Sequence, residues 1–227
     1  MNFYNLNIKG KDYYKILQSK ETANQNKQFI LQNFGMLVGN KSFYRILKCF
    51  DLLRQTKKIK GDIIEFGIWN GNNLFTLKKI IDYLNIKKKI IGFDNFSGLP
   101  NPTLKEKLAR YKGNKNLINF IIKFFKLKNI NIIDDDILNL RKYRRKIKKL
   151  SFVYIDCDIY KVVKAILNEI NSKISKGGII AFDEANRGVN NGEKKALNEF
   201  YNQNKAYYKK IFLKKNYQPD VILLKIK

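Results

Sequence analysis

Short apolar runs separated by helical periods organise the chain from Gly61 onward. DIIEFG, KIIGFD, INII, FVYID and GIIAFD are rich in β-branched and aromatic residues, the composition of buried strands. Between them, NLFTLKKIIDYL, the residues after Tyr160 and a stretch near 192–204 space their apolar positions by three and four, as amphipathic helices do. Strands alternating with helices predict parallel βαβ units, one sheet with helices on both faces. YYKKIFL and DVILLKI follow one another with no helical period between them, which predicts a C-terminal antiparallel hairpin. Residues 1–58 carry no strand signal, and SFYRILKCFDLLRQ repeats its apolar residues at the helical period. That region reads as a helical N-terminal extension, and 59–227 as one domain, undivided by any repeat or Ser/Pro-rich linker.

Composition narrows the setting. No apolar run approaches the roughly 18 residues of a membrane span, and the N-terminal residues lack a signal-peptide apolar core. Cys49 and Cys157 are too few for a disulfide framework, so a soluble, cytoplasmic protein with reduced thiols is expected. The net charge of +27 is mostly lysine, 39 Lys against 7 Arg, spread along the chain. Such charge attracts nucleic acid. Its even spread reads instead as compositional bias, and even the dense run RKYRRKIKK at 141–149 reads as a solvated face. Neither a specific nucleic acid nor a membrane is expected as partner. The absence of histidine excludes Ser-His-Asp and Cys-His nucleophiles and His-ligated zinc.

The candidate chemistry sits at the strand ends. In EFGIWNGNN, Glu65 precedes Gly67 and Gly71, and glycines there let backbone approach a ligand where a helix begins. Gly67-x-x-x-Gly71 lacks the G-x-G-x-x-G that seats a pyrophosphate. The spacing suits a ligand with a carboxylate and no pyrophosphate, such as S-adenosylmethionine. Asp94 ends the second strand, where a carboxylate accepts ribose hydroxyls, and Asp136 with Ile137 follows the third, near an adenine. FVYIDCDIY supplies Asp156 and Asp158, and the later strand closes on Asp183 and Glu184. One aspartate would suffice to cap the helix after Tyr160. Two acidic pairs at two strand ends fall where open α/β sheets bind ligands.

GDIIEFGIWNGNN, GFDNFSGLP, YIDCDIYKVVKAI, SKGGIIAFDE and GEKKALNEF, in this order between about residues 36 and 200, resemble the blocks of the macrocin-type sugar O-methyltransferases. These are class I enzymes that methylate sugar hydroxyls on macrolides. The resemblance implies a Rossmann-like class I methyltransferase fold with a mostly parallel seven-strand sheet. It also implies S-adenosylmethionine as methyl donor and a hydroxylated small-molecule acceptor, a sugar or glycosylated metabolite. It further implies a divalent cation, Mg²⁺ foremost, on Asp156, Asp183 and Glu184. Glu184 stands where the family has a second aspartate, and the histidine that members use as base has no counterpart. Asp158 is the candidate to orient the acceptor or take its proton, beside a helix-capping role.

Methyl transfer from a sulfonium is an in-line displacement, and a sugar hydroxyl is too weakly acidic to ionise at neutral pH. An oxygen-rich site for Mg²⁺, Mn²⁺ or Ca²⁺ would acidify it and offset the repulsion among three carboxylates. Two other readings stay open: a metal-independent methyltransferase of the same fold, and a basic nucleic-acid-binding protein with a vestigial site. KAYYKKIFLKK, with interleaved aromatic and basic residues, keeps the latter open, although the ordered acidic strand ends have no use in it. A homo-oligomer is compatible with the sequence. Substrate-shaping residues are expected in the N-terminal helices and the 99–116 loop.

Overall fold

The computed structural model describes residues 35, 38–98, 112–186 and 192–227, and within them each apolar run becomes a strand. The chain divides into two compact units, Met1–Leu47 and Lys48–Lys227. The described part of the first is residue 35 and residues 38–47, where α1 (Asn40–Thr56) begins. Most of the predicted N-terminal extension therefore lies outside the described residues, as does the 99–116 loop up to residue 111.

The second unit contains β1 (Asp62–Phe66), α2 (Asn72–Tyr83), β2 (Ile90–Asp94), α3 (Lys115–Phe124), β3 (Ile130–Asp134), β4 (Leu150–Ile155), α4 (Tyr160–Ile170), β5 (Ile174–Phe182), α5 (Gly192–Asn204), β6 (Tyr208–Phe212) and β7 (Val221–Lys225). They build one seven-stranded sheet in the order β3-β2-β1-β4-β5-β7-β6. The pairs among β1 to β5 are parallel, while β7 runs antiparallel to both β5 and β6. This is the mostly parallel sheet with a C-terminal antiparallel hairpin that the pattern predicts.

The central strands are apolar on both sides because helices cover both faces. The period of two shows in the packing: Ile64, Phe66, Val153 and Ile155 face one core, with Val163, Ile166 and Leu167 of α4. Ile63, Phe152 and Tyr154 face the other, with Leu52 and Leu53 of α1 and Leu74 and Leu77 of α2. Fully burying a side chain of this size contributes roughly 1.5–3 kcal/mol. Every residue of β4 is buried, so this strand anchors both layers. At the opposite end of the strands from the acids, Lys88 Nζ donates to the carbonyls of Thr56 (2.6 Å) and Ile59 (2.7 Å) and to Ser151 Oγ (2.8 Å), tying the end of α1 to the start of β4. Among the described residues no helix is long and apolar enough to cross a membrane.

Candidate active site

The chain winds outward from β1 through β2 to β3, then crosses back to β4, so β1 and β4 flank a topological switch point. Open α/β sheets form their ligand crevice there, outside the carboxyl ends of the strands. A cavity of about 170 Å³ occupies this place. One water needs about 10–15 Å³ of such space, so the cavity has room for part of a small molecule. Gly67 after β1, Asp94 at the end of β2, Asp136 and Ile137 after β3, and Asp156 and Asp158 after β4 all line it. Four of the predicted residues do not: Glu65, Gly71, Asp183 and Glu184.

The turn after β1 is shaped by close approach. Gly67 has φ +82°, and a Cβ there would lie 1.9 Å from the carbonyl oxygen of Asp156. Only glycine lets the β1 and β4 ends touch in this way. Gly71, also at φ +82°, is the N-cap of α2 and presses on the Phe75 ring, so its role is to turn the chain into the helix. Glu65 is buried within β1 and accepts from Asn73 Nδ2 (3.2 Å), which fixes the first turn of α2 from beneath. Between the two glycines Trp69 adopts φ +48°, a conformation bulky residues rarely take. Its N–H donates to Asp94 Oδ2 (2.8 Å), and the Phe96 N–H donates to Asp94 Oδ1 (2.8 Å). The Asp94 carboxylate therefore joins two turns as well as facing the cavity. Burial raises its pKa, and these backbone donors partly offset the rise. Asp136 Oδ1 accepts from Leu138 N–H (2.8 Å), capping the 3₁₀ turn Ile137–Tyr143 and setting Ile137 against the cavity.

The acids after β4 and β5 come together through strand register. Ile155 pairs with Phe182, and the Asp183 N–H donates to the Ile155 carbonyl (3.0 Å), so Asp156 and Asp183 leave neighbouring parallel strands at the same level. Their side chains then diverge in use. Asp183 is buried, with Oδ1 accepting from Tyr154 OH (2.5 Å) and Oδ2 from Gln218 Nε2 (2.5 Å). Gln218 Nε2 also donates to Glu184 Oε1 (2.7 Å), and the Glu184 N–H donates to Glu193 Oε2 (2.9 Å). Among the described residues no three Asp, Glu or Cys side chains are grouped to hold a metal ion. Asp156, Asp183 and Glu184 are thus neighbours in backbone but do not converge as a ligand set.

Neither Asp156 nor Asp158 is the N-cap of the following helix: that position is Ile159, which makes no side-chain cap hydrogen bond. Asp158 holds φ +50°, with Gly192 of α5 packed so closely on its carbonyl that a Cβ would sit at 2.5 Å. Its surface opens to solvent at the cavity, yet the protein on its other sides and the Glu184 carboxylate raise its pKa. Burial pushes the Cys157 thiol well up, with Asp156 adding to the effect, so it stays protonated at neutral pH. Burial likewise raises Glu193 well above the carboxylate range, with Asp183 nearby. The strand ends thus carry acidic groups on one side of the cavity, with Asp158 exposed at its lining. Trp69, Cys157 and Val162 also line the cavity, and Gln218 binds two of the predicted acids. Trp69 and Cys157 lie between predicted residues in sequence and Val162 in the first turn of α4; Gln218 carries no local signal.

Residues 14–126 match the family described as Macrocin-O-methyltransferase (TylF). That match ends before Asp136, so the later acids lie outside it. No curated protein sequence matches the chain. Among solved structures, CalS11, a calicheamicin methyltransferase, is similar with TM-score 0.72 at 19% identity, covering 95% of this chain and 90% of its own. Its apo form, named as a TDP-rhamnose 3′-O-methyltransferase, gives 0.67 at 21% over 95% and 91%. The O-methyltransferase NovP gives 0.69 at 16% over 85% and 82%. An O-methyltransferase from Bacillus cereus in complex with SAH gives 0.58 at 14% over 98% and 93%. At these identities the structural likeness establishes the fold. The chain is an S-adenosylmethionine-dependent O-methyltransferase of class I fold, similar over residues 14–126 to the macrocin-type O-methyltransferases.

Proposed function

We propose that the chain methylates a sugar hydroxyl on a small molecule, with the cofactor along β1 to β3 and the acceptor beside Asp158. The observation that carries this reading is one cavity lined by Gly67, Asp94, Asp136 and Ile137 on one side and by Asp156 and Asp158 on the other. The Gly67 turn suits the methionine end, where backbone must approach closely. Asp94 lines the cavity with its carboxylate held by the Trp69 and Phe96 N–H groups, a placement that suits it to accept from ribose hydroxyls. Ile137 offers an apolar surface to adenine, while Glu65 and Gly71 support the turn from behind. The sugar class draws on CalS11, whose own acceptor is a nucleotide-linked rhamnose.

S-adenosylmethionine supplies the electrophilic methyl. Asp158 then orients the acceptor hydroxyl and accepts its proton as the oxygen attacks, a task suited to a carboxylate with a raised pKa. The dependence on Mg²⁺ that the resemblance implies belongs to this proposal as a bound state only. Oxygen donors on Asp156, Asp183 and Glu184 suit such an ion by chemistry, and it would act as a Lewis acid. Since their side chains do not converge, every step above uses protein groups alone.

Methyl-labelled S-adenosylmethionine incubated with a nucleoside-diphosphate sugar should yield label on a sugar hydroxyl. Label absent from sugars in the presence of bound cofactor would remove the acceptor class. Calorimetry with S-adenosylhomocysteine should show binding, and Asp94→Ala should weaken it by about 1.5–3 kcal/mol, since a charged acceptor is lost and two turn N–H groups are freed. Unchanged affinity would take Asp94 out of the site. Nucleic acid should bind without sequence preference, at about 10⁻⁴–10⁻⁶ M in physiological salt and more weakly as salt rises. Tight, salt-resistant binding to one sequence would favour a nucleic-acid partner.

A further inference from the structure

The acids expected to share a cation are bridged instead by a side chain of the protein. Gln218 Nε2 lies 2.5 Å from Asp183 Oδ2 and 2.7 Å from Glu184 Oε1, so one amide nitrogen directs a hydrogen to each carboxylate. The opposite amide orientation would aim its carbonyl oxygen at both acids, and two anions forbid that. We propose that Gln218 stands in the place a cation bridging Asp183 and Glu184 would take, and that a cation enters this site only by displacing the amide. The inference rests on these acids being the cation's site and does not depend on the acceptor assigned above.

The fold delivers Gln218 to this position. It lies between β6 and β7, and Asp220 fastens that connection to the end of β5. The Asp220 N–H donates to the Phe182 carbonyl (3.1 Å), its Oδ2 accepts from Asn186 N–H (2.9 Å), and its carbonyl accepts from Leu213 N–H (2.8 Å). Asp183 Oδ1 is held by Tyr154, so Oδ2 is the oxygen that faces Glu184 across the amide. Mg²⁺ and Mn²⁺ favour six oxygens in a tight shell. A hydrogen-bonded amide between two of the donors prevents that shell from closing. One amide N–H directed at each of two adjacent carboxylates offsets part of the repulsion between them.

Mn²⁺ titrated into the full chain, read by calorimetry and by the electron-spin signal of free Mn²⁺, tests the inference. Gln218→Ala should bind Mn²⁺ about tenfold or more tightly than the unaltered protein, since hydrogen bonds to charged groups no longer compete. Asp183→Asn combined with it should abolish the gain, which assigns the ion to this site. Gln218→Met, of similar length and without a donor, repeats the test should the alanine variant fold poorly. Gln218→Glu should melt lower without metal, from repulsion among three carboxylates, and recover with Mn²⁺. Equal Mn²⁺ affinity with and without Gln218 would overturn the inference, as would weaker binding without it, which would make the amide a ligand. S-adenosylhomocysteine affinity, measured on the same samples, separates this outcome from failure of the methyltransferase reading.

Discussion

Gly67→Ala should abolish cofactor binding. The added methyl would occupy space 1.9 Å from the Asp156 carbonyl oxygen, far inside any allowed contact, and at φ +82° an alanine is strained in any case. Relief requires β1 and β4 to separate at the point where the cavity is made. A displacement of about 1 Å at a reacting centre costs on the order of 100-fold, so S-adenosylhomocysteine affinity and turnover should fall together by at least about that much. Gly71→Ala should be milder for binding, because the atoms its methyl would meet belong to flexible side chains, Phe75 and Ile118. Normal calorimetric binding in Gly67→Ala would mean that the cofactor lies elsewhere.

Asp158→Asn should lower kcat by about 10²–10⁴ while leaving S-adenosylhomocysteine affinity within a few-fold, since the amide keeps the shape and loses the base. The pH profile supplies a second readout. The Asp158 pKa is raised by burial and by Glu184, so the acid limb of the wild-type rate should lie above the ordinary carboxylate range and vanish from the residual rate of the variant. Stability should move the opposite way. A carboxyl whose folded pKa is raised contributes most favourably at low pH, and that contribution is lost as pH rises through the folded value. The variant should therefore match or exceed the wild-type Tm at neutral pH, and the difference should shrink on acidification. A kcat near wild type would assign proton removal to another group.

The strands, their order of use and the acids at their ends were legible because period and composition carry them directly. FVYID and GIIAFD read as buried strands, and β4 and β5 follow with their acids at matching ends. What periodicity does not carry is where a carboxylate directs its lone pairs. Asp94 spends both oxygens and Asp136 one on nearby backbone, contacts set by turn geometry. The capping role considered for Asp156 and Asp158 fails because α4 starts two residues after Asp158, with Ile159 as its N-cap. Gln218 was illegible for a different reason. It lies 35 positions from Asp183, in a connection between two strands, and only the antiparallel insertion of β7 beside β5 brings it there.

That insertion also orders events on the ribosome. β6 is synthesised before β7, yet its ladder is with β7 alone, and β7 is the strand that joins β5. A nascent chain that has emerged only through β6 therefore has no partner for that strand and leaves the β5 edge, ending at Phe182, open to stray pairing. The same late step delivers Gln218 and Asp220 to the strand-end acids, so Asp183 and Glu184 pass through synthesis without their amide bridge. Chaperone demand during translation should accordingly peak in the interval between β5 and β7, when the sheet is nearly built and its acidic end is still uncovered.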